Sequence, residues 1–191
     1  MDYCPIKSNF AVMKHPLDKF RYCPVCGSER FEVNNVKSKK CQACGFTYYM
    51  NPSAATVAVI TPPLPTGEGT GLLVVRRGKE PAKGTLDLPG GFSDMGETSE
   101  EGVAREVLEE TGLRVTRTEF LFSLPNRYVY SGLEIPTMDM FYRCEIADTD
   151  GAHAMDDAAD LMWIPLSEVD PSQFGLESIR LGVSKLLQML K

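Results

Sequence analysis

The chain has 191 residues, 43% of them hydrophobic, with 26 acids against 20 lysines and arginines and a formal net charge of −6. That composition suits one core with a small appendage. No run of about 18 apolar residues occurs, which excludes a helical membrane span, and the acidic balance argues against nucleic-acid binding through bulk charge.

The opening segment, MDYCPIKSNFAVMKHP, lacks the charged start and apolar middle of a secretory signal, so a cytoplasmic protein is expected. Residues 1–20 read as an extension to which no role can be assigned. The first legible module is 21–50. CPVCG at Cys23 to Gly27 and CQACG at Cys41 to Gly45 are near copies, with fourteen residues between the inner cysteines. Each is a tight knuckle whose glycine permits the positive φ the turn needs. Two knuckles supply four thiolates, the tetrahedral set of a closed structural zinc site. The intervening SERFEVNNVKSKK predicts strand, Asn-Asn turn, strand, which completes a zinc ribbon. Redox dithiols or an iron site are the competing readings. The duplicated CxxCG weighs against the first, and colour would report the second. Cys4 and Cys144 have no partner by spacing and read as inert thiols. Lys37, Lys39 and Lys40 could meet phosphates, but they read first as a solvated hairpin edge.

A larger domain is expected over 53–191. AATVAVI (54–60) and GLLVVRR (71–77) are β-branched apolar runs joined by the Pro- and Gly-rich TPPLPTGEGT, and together they predict a hairpin with a long connection. KEPAKGTLDLPGG is expected to be mostly loop. A helix follows over 99–111. Thr98 to Glu101 forms a capping box, and Gly112 suits a left-handed C-terminal cap. At about 100° per residue, Glu109 and Glu110 lie roughly −60° and +40° from Glu106, a narrow arc beside the apolar face of Val103, Ala104, Val107, Leu108 and Thr111. Like charges at these spacings weaken a helix, the C-terminal end disfavours anions, and Gly102 in the same arc costs about 1 kcal/mol relative to Ala. A divalent cation taking oxygen ligands would offset the repulsion, with Gly102 leaving it room. Geometry alone leaves that reading level with a solvated acidic face.

Beyond the helix, Tyr128 and Tyr130 alternate on an expected strand. They could stack a base, although a half-buried sheet face explains them equally. Arg127 could contact a phosphate or ribose, but it reads first as an ordinary surface arginine. Trp163 is expected in the core. Leu176, Ile179, Val183, Leu186, Leu187 and Leu190 sit at helical spacing and predict a C-terminal amphipathic helix.

Gly91, Glu97, Arg105-Glu106-Val107, Glu109-Glu110 and Gly112-Leu113 resemble the Nudix box at all nine of its constrained positions across 23 residues. The resemblance implies an α/β fold, an α/β/α sandwich around a mixed sheet, covering about 53–191. It further implies hydrolysis of a nucleoside diphosphate linked to another moiety. Carried over position by position, Glu106, Glu109 and Glu110 resemble the Mg²⁺ or Mn²⁺ ligands, one of which could instead handle the attacking water. Gly91 matches a glycine whose carbonyl joins the metal, and Glu97 with Arg105 resembles the pair that holds the helix. Family members often add a late-loop carboxylate as general base; MDDAADLMWIPLSEV (155–169) resembles the acidic loop, Trp strand and short helix found there, with Asp156, Asp157 and Asp160 as the candidates. The family also makes homodimers common. A zinc ribbon followed by this box is similar to the NADH pyrophosphatase subgroup. Ser123 and Pro125 echo the start of that subgroup's post-box signature, but its Trp-Pro-Phe-Pro core is absent. The expected substrates are therefore NAD(H), a related dinucleotide or ADP-ribose. Tyr130 stands where diadenosine polyphosphate hydrolases often carry a tyrosine. The alternatives are a regulatory protein that binds nucleotide or nucleic acid through the ribbon, and a hydrolase of nucleotide-capped RNA. The intact box and the acidic chain disfavour the regulatory reading.

Overall fold

The computed structural model describes residues 15–63, 69–156 and 158–190. The chain divides into two compact units between Asn51 and Pro52. No described helix is long and apolar enough to cross a membrane.

In the first unit, β1 (Phe31–Asn35), β2 (Ser38–Cys41) and β3 (Thr47–Tyr49) form an antiparallel meander in that order. The turn lies one step beyond the expected Asn-Asn, at Val36 and Lys37. Asn34 and Asn35 end the strand before it and support it: Asn34 Nδ2 donates to Ser38 Oγ at 3.0 Å, and the Lys37 N–H donates to Asn35 Oδ1 at 3.0 Å. An asparagine side chain that folds onto the backbone two residues on makes this kind of turn. The core is small. Leu17, Phe31, Cys23 and Cys41 are buried, with Phe20 and Phe46 packed against the last three. Lys39 is no solvated edge residue, for it is buried and its Nζ donates to Phe20 O at 2.9 Å.

In the second unit, β4 (Ser53–Val59) runs parallel to β9 (Leu133–Ile146) and antiparallel to β7 (Gly90–Phe92). β8 (Val115–Tyr130) closes a four-stranded mixed sheet in the order β7-β4-β9-β8. The β8–β9 hairpin turns through Ser131 and Gly132, both at positive φ, 49° and 73°. That is the I′ geometry that suits the strand twist. A second sheet, order β10-β5-β6, joins β10 (Ala158–Pro165), β5 (Gly71–Arg77) and β6 (Leu86–Asp87). The expected β4–β5 hairpin is therefore corrected. The two runs meet where the Leu73 N–H donates to Ile60 O and the Gly71 N–H to Pro62 O, and then part into different sheets. Both edges of β4 are taken, one by β7 and one by β9, so no ladder remains for β5. The expected loop at 79–91 also contributes two short strands, β6 and β7.

Helix α1 (Ser99–Thr111) covers one face and α2 (Glu177–Met189) the other, an α/β/α arrangement. Alternation along β4 fixes this. Ala58 and Ile60 pack with Val103 and Val107 of α1, while Val57 and Val59 pack with Ile179, Val183 and Leu186 of α2. Trp163 packs against the α1 cluster.

Candidate functional site

The ribbon brings Cys23, Cys26, Cys41 and Cys44 together, all four Sγ atoms within 4.8 Å of one another. In each knuckle the glycine N–H donates to the carbonyl of the leading cysteine at 2.9 Å, with Gly27 at φ 71° and Gly45 at φ 78°. Cys23 and Cys44 are 3.7 Å apart and Cys26 and Cys41 3.6 Å. Four sulfurs at about 2.3 Å from a tetrahedral zinc would be about 3.8 Å apart, so the set suits that ion. The backbone N–H of Cys44 holds the Cys41 thiol down at about 6, whereas Cys26, drawn down by the Ser28 backbone, is pushed up to about 12 by its neighbouring thiols and burial.

Helix α1 begins and ends where local chemistry dictates. Thr98 accepts from the Glu101 N–H and the Glu101 carboxylate accepts from the Thr98 N–H, while Gly112 takes φ 71°. Val103, Val107 and Thr111 are buried as expected, but Leu108 is 47% exposed and does not join the core face. The last-turn carbonyls find partners outside the helix. His153 N–H donates to Thr111 O at 3.2 Å and Met155 N–H to Glu110 O at 2.9 Å, which ties the acidic late loop to the end of α1.

Glu106, Glu109 and Glu110 all line one cleft of about 550 Å³. They do not converge on a single point. Arg105 Nη1 donates to Glu106 at 2.9 Å and to Glu109 at 3.0 Å, while Glu110 accepts from the Gly90 N–H at 3.1 Å. Among the described residues only the four cysteines bring three or more metal-ligating atoms within 4.8 Å. The carboxylate set is oxygen-only and suits Mg²⁺ or Mn²⁺ by chemistry, and the backbone beneath it is cut to its shape. A Cβ at Gly91 would stand 2.6 Å from the Glu106 carboxyl, so glycine there leaves that group its place. Burial pushes the Glu106 carboxyl up, opposed by Arg105.

The other box residues form a clamp. Glu97 receives Arg105 Nη2 at 2.7 Å and Nε at 3.1 Å, plus the Asp94 N–H at 2.5 Å. These bonds, the arginine's foremost, hold its carboxyl at about 2. Arg105 also donates to Phe92 O at 3.1 Å. The space at Gly102 is not left for an ion: a Cβ there would lie 2.9 Å from Glu97 Oε1, so the glycine makes room for the clamp.

Of the late acids, Asp156 lines the cleft, at φ 48°. Asp160 is not among the lining residues. It sits opposite Arg76 on the β10–β5 ladder and its Oδ1 accepts from the Leu161 N–H at 2.9 Å. Asp157 lies outside the described residues. Tyr128 and Tyr130 line the cleft, whereas Arg127 is turned to Glu134, 3.7 Å away. The sequence reading passed over Arg77, Asp87, Phe92, Asn126 and Asp139, which also line it. Buried Asp87 pairs with Arg77 at 2.5 Å, and Arg77 Nη2 reaches Tyr128 Oη at 3.3 Å. Burial raises the Asp87 carboxyl, opposed by Arg77. The available signal was polarity in an apolar row: Thr137 and Asp139 share a face of β9 with the core residue Phe141.

The NUDIX domain model matches residues 53–183. The chain is 26% identical over 149 residues to an NAD-capped RNA hydrolase NudC of Deinococcus radiodurans, covering 78% of this chain and 50% of that protein. It is 37% identical over 84 residues to an ADP-ribose pyrophosphatase of Methanocaldococcus jannaschii, covering 43% of this chain and 46% of that one. The chain thus spans about half the length of the curated relatives it matches. Its fold is that of a NUDIX hydrolase from Nitrosomonas europaea, with a TM-score of 0.66 at 22% identity, covering 88% of this chain and 90% of that one.

Proposed function

The chain belongs to the NUDIX family, and from that premise we propose that it is a divalent-metal-dependent pyrophosphohydrolase acting on a nucleoside diphosphate linked to another moiety. The carrying observation is the wall formed by Glu106, Glu109 and Glu110 in a cleft large enough for a nucleotide. NAD(H), a related dinucleotide and ADP-ribose are the first substrates to test, in keeping with the names of the relatives.

Glu106, Glu109 and Glu110, with the Gly91 carbonyl, would hold Mg²⁺ or Mn²⁺, and the four cysteines a structural zinc. When bound, the divalent cation supplies charge neutralisation on the diphosphate. The chain's own residues do the rest. Glu97 fixes Arg105, and Arg105 fixes the loop before α1 through Phe92 O. That clamp orients the glutamates. A water attacks one phosphorus, its proton passes to a carboxylate lining the cleft, and the bridging P–O bond breaks to leave two phosphate monoesters. Asp156 is the lining carboxylate we assign to that proton, because Glu106, Glu109 and Glu110 are the ones given to the cation.

The test is incubation with Mg²⁺ or Mn²⁺ and a panel of NADH, ADP-ribose, diadenosine polyphosphates and nucleoside triphosphates. Cleavage of a panel member, abolished in Glu109→Gln, is the expected result. Turnover that survives that substitution would remove the assignment of Glu109.

A further inference from the structure

The cleft extends onto the sheet face that α2 covers. There Asp139 is 4% exposed yet lines it. A carboxylate taken from water costs several kcal/mol unless donors meet it. Three neutral donors do: Thr137 Oγ1 to Oδ1 at 2.6 Å, and Asn126 Nδ2 at 3.0 Å with Ser178 Oγ at 2.5 Å to Oδ2. Such a carboxylate has about four lone-pair positions, so an acceptor position remains on Oδ1. Asn126 gives Asp139 one of its two amide hydrogens and lines the same cleft. An acceptor and a donor therefore stand side by side. Close by, Phe92 meets Tyr128 edge to face at 5.5 Å and Arg77 lies over the Tyr128 ring at 6.0 Å, which places aromatic surface beside the pair. Buried Asp87, the second carboxylate here, is already paired with Arg77 at 2.5 Å, so Asp139 is the one left to meet a donor on a ligand.

We propose that Asp139 and Asn126 read a planar group carrying an N–H₂ donor beside an acceptor. Two sources share that chemistry, the amino edge of an aminopurine and a primary carboxamide on a ring. The recognition rests on the pyrophosphohydrolase reading only for what the bound nucleotide is part of. Asp139 is a specificity residue, and its hydrogen bond to Ser178 also seats the first turn of α2.

Calorimetry on the full chain separates the sources without turnover. AMP is compared with IMP, and nicotinamide mononucleotide with nicotinic acid mononucleotide. One amino-bearing member should bind about tenfold or more tighter than its counterpart, since a site built for a donor rejects the analogue lacking it. That pair identifies the source. In Asp139→Asn the ratio should fall below about twofold, with the melting temperature as the check on folding. If that variant does not fold, Asn126→Ala, which leaves Thr137 and Ser178 on Asp139, should lower the same ratio. Equal affinity within both pairs, no binding by any of the four, or a preference that persists in the folded variants overturns the inference. Cleavage of dinucleotides without this discrimination would sink the inference and spare the hydrolase reading. Discrimination without cleavage would do the reverse.

Discussion

Gly91 decides where the Glu106 carboxyl can lie, because a methyl group there would stand 2.6 Å from it. Gly91→Ala should push that carboxylate aside without disturbing the core. A misplacement of about 1 Å costs about 100-fold in rate, so kcat/KM should fall by about that factor while the melting temperature holds. A large fall in melting temperature instead would make Gly91 a folding residue. Glu97 carries a pH prediction. Its carboxyl is drawn from 4.5 to about 2 by Arg105 and the Asp94 N–H. A depressed acid binds fewer protons folded than unfolded, so its contribution is complete above 4.5 and is lost as pH falls toward about 2. Acid unfolding followed by near-ultraviolet dichroism should be less steep over that window in Glu97→Gln than in the parent. Superimposable acid limbs would mean that the clamp does not stabilise the fold.

At the scale of the element, α1 is governed by its own ends. Thr98→Ala removes one side of the capping box and should cost about 1 kcal/mol, or about 2–4 °C in a domain of this size. Helix α2 is governed by what it lies on. A Cβ at Gly182 would come within 2.3 Å of the Phe141 ring, itself fully buried and stacked on Phe122 at 4.8 Å. Gly182→Ala should therefore overpack the core at about 1–3 kcal/mol. Thermal denaturation of the two variants should rank Gly182→Ala at or beyond Thr98→Ala. The reverse order would mean that α2 can lift from the sheet at little cost.

Across the whole molecule the two units draw stability from different sources. The second has two apolar clusters, one under each helix. The ribbon buries little beyond Leu17, Phe31 and two of its own cysteines, so a metal would supply most of its folding free energy. A chelator strong enough to strip zinc should release residues 21–50 to hydrogen exchange while protection in β4, β5 and β9 persists. Unchanged protection in the ribbon would argue against a structural zinc, and simultaneous loss in both units would mean that they do not fold separately.

Local chemistry was readable directly. The knuckles, the capping box, the Gly112 cap and the three-carboxylate arc depend on neighbours within a turn or so, and the family resemblance rested on the same residues. Three things needed the tertiary structure because each depends on residues far apart in sequence. Strand β5 leaves β4 because β9, some 80 residues later, has taken its edge. Gly102 turned out to serve Glu97 rather than an ion because the loop before α1 folds back under the helix. Asp139 and Asn126 join one cleft with Arg77 and Phe92 because two sheets meet there, and period-two alternation shows which face a side chain takes but not what lies across from it.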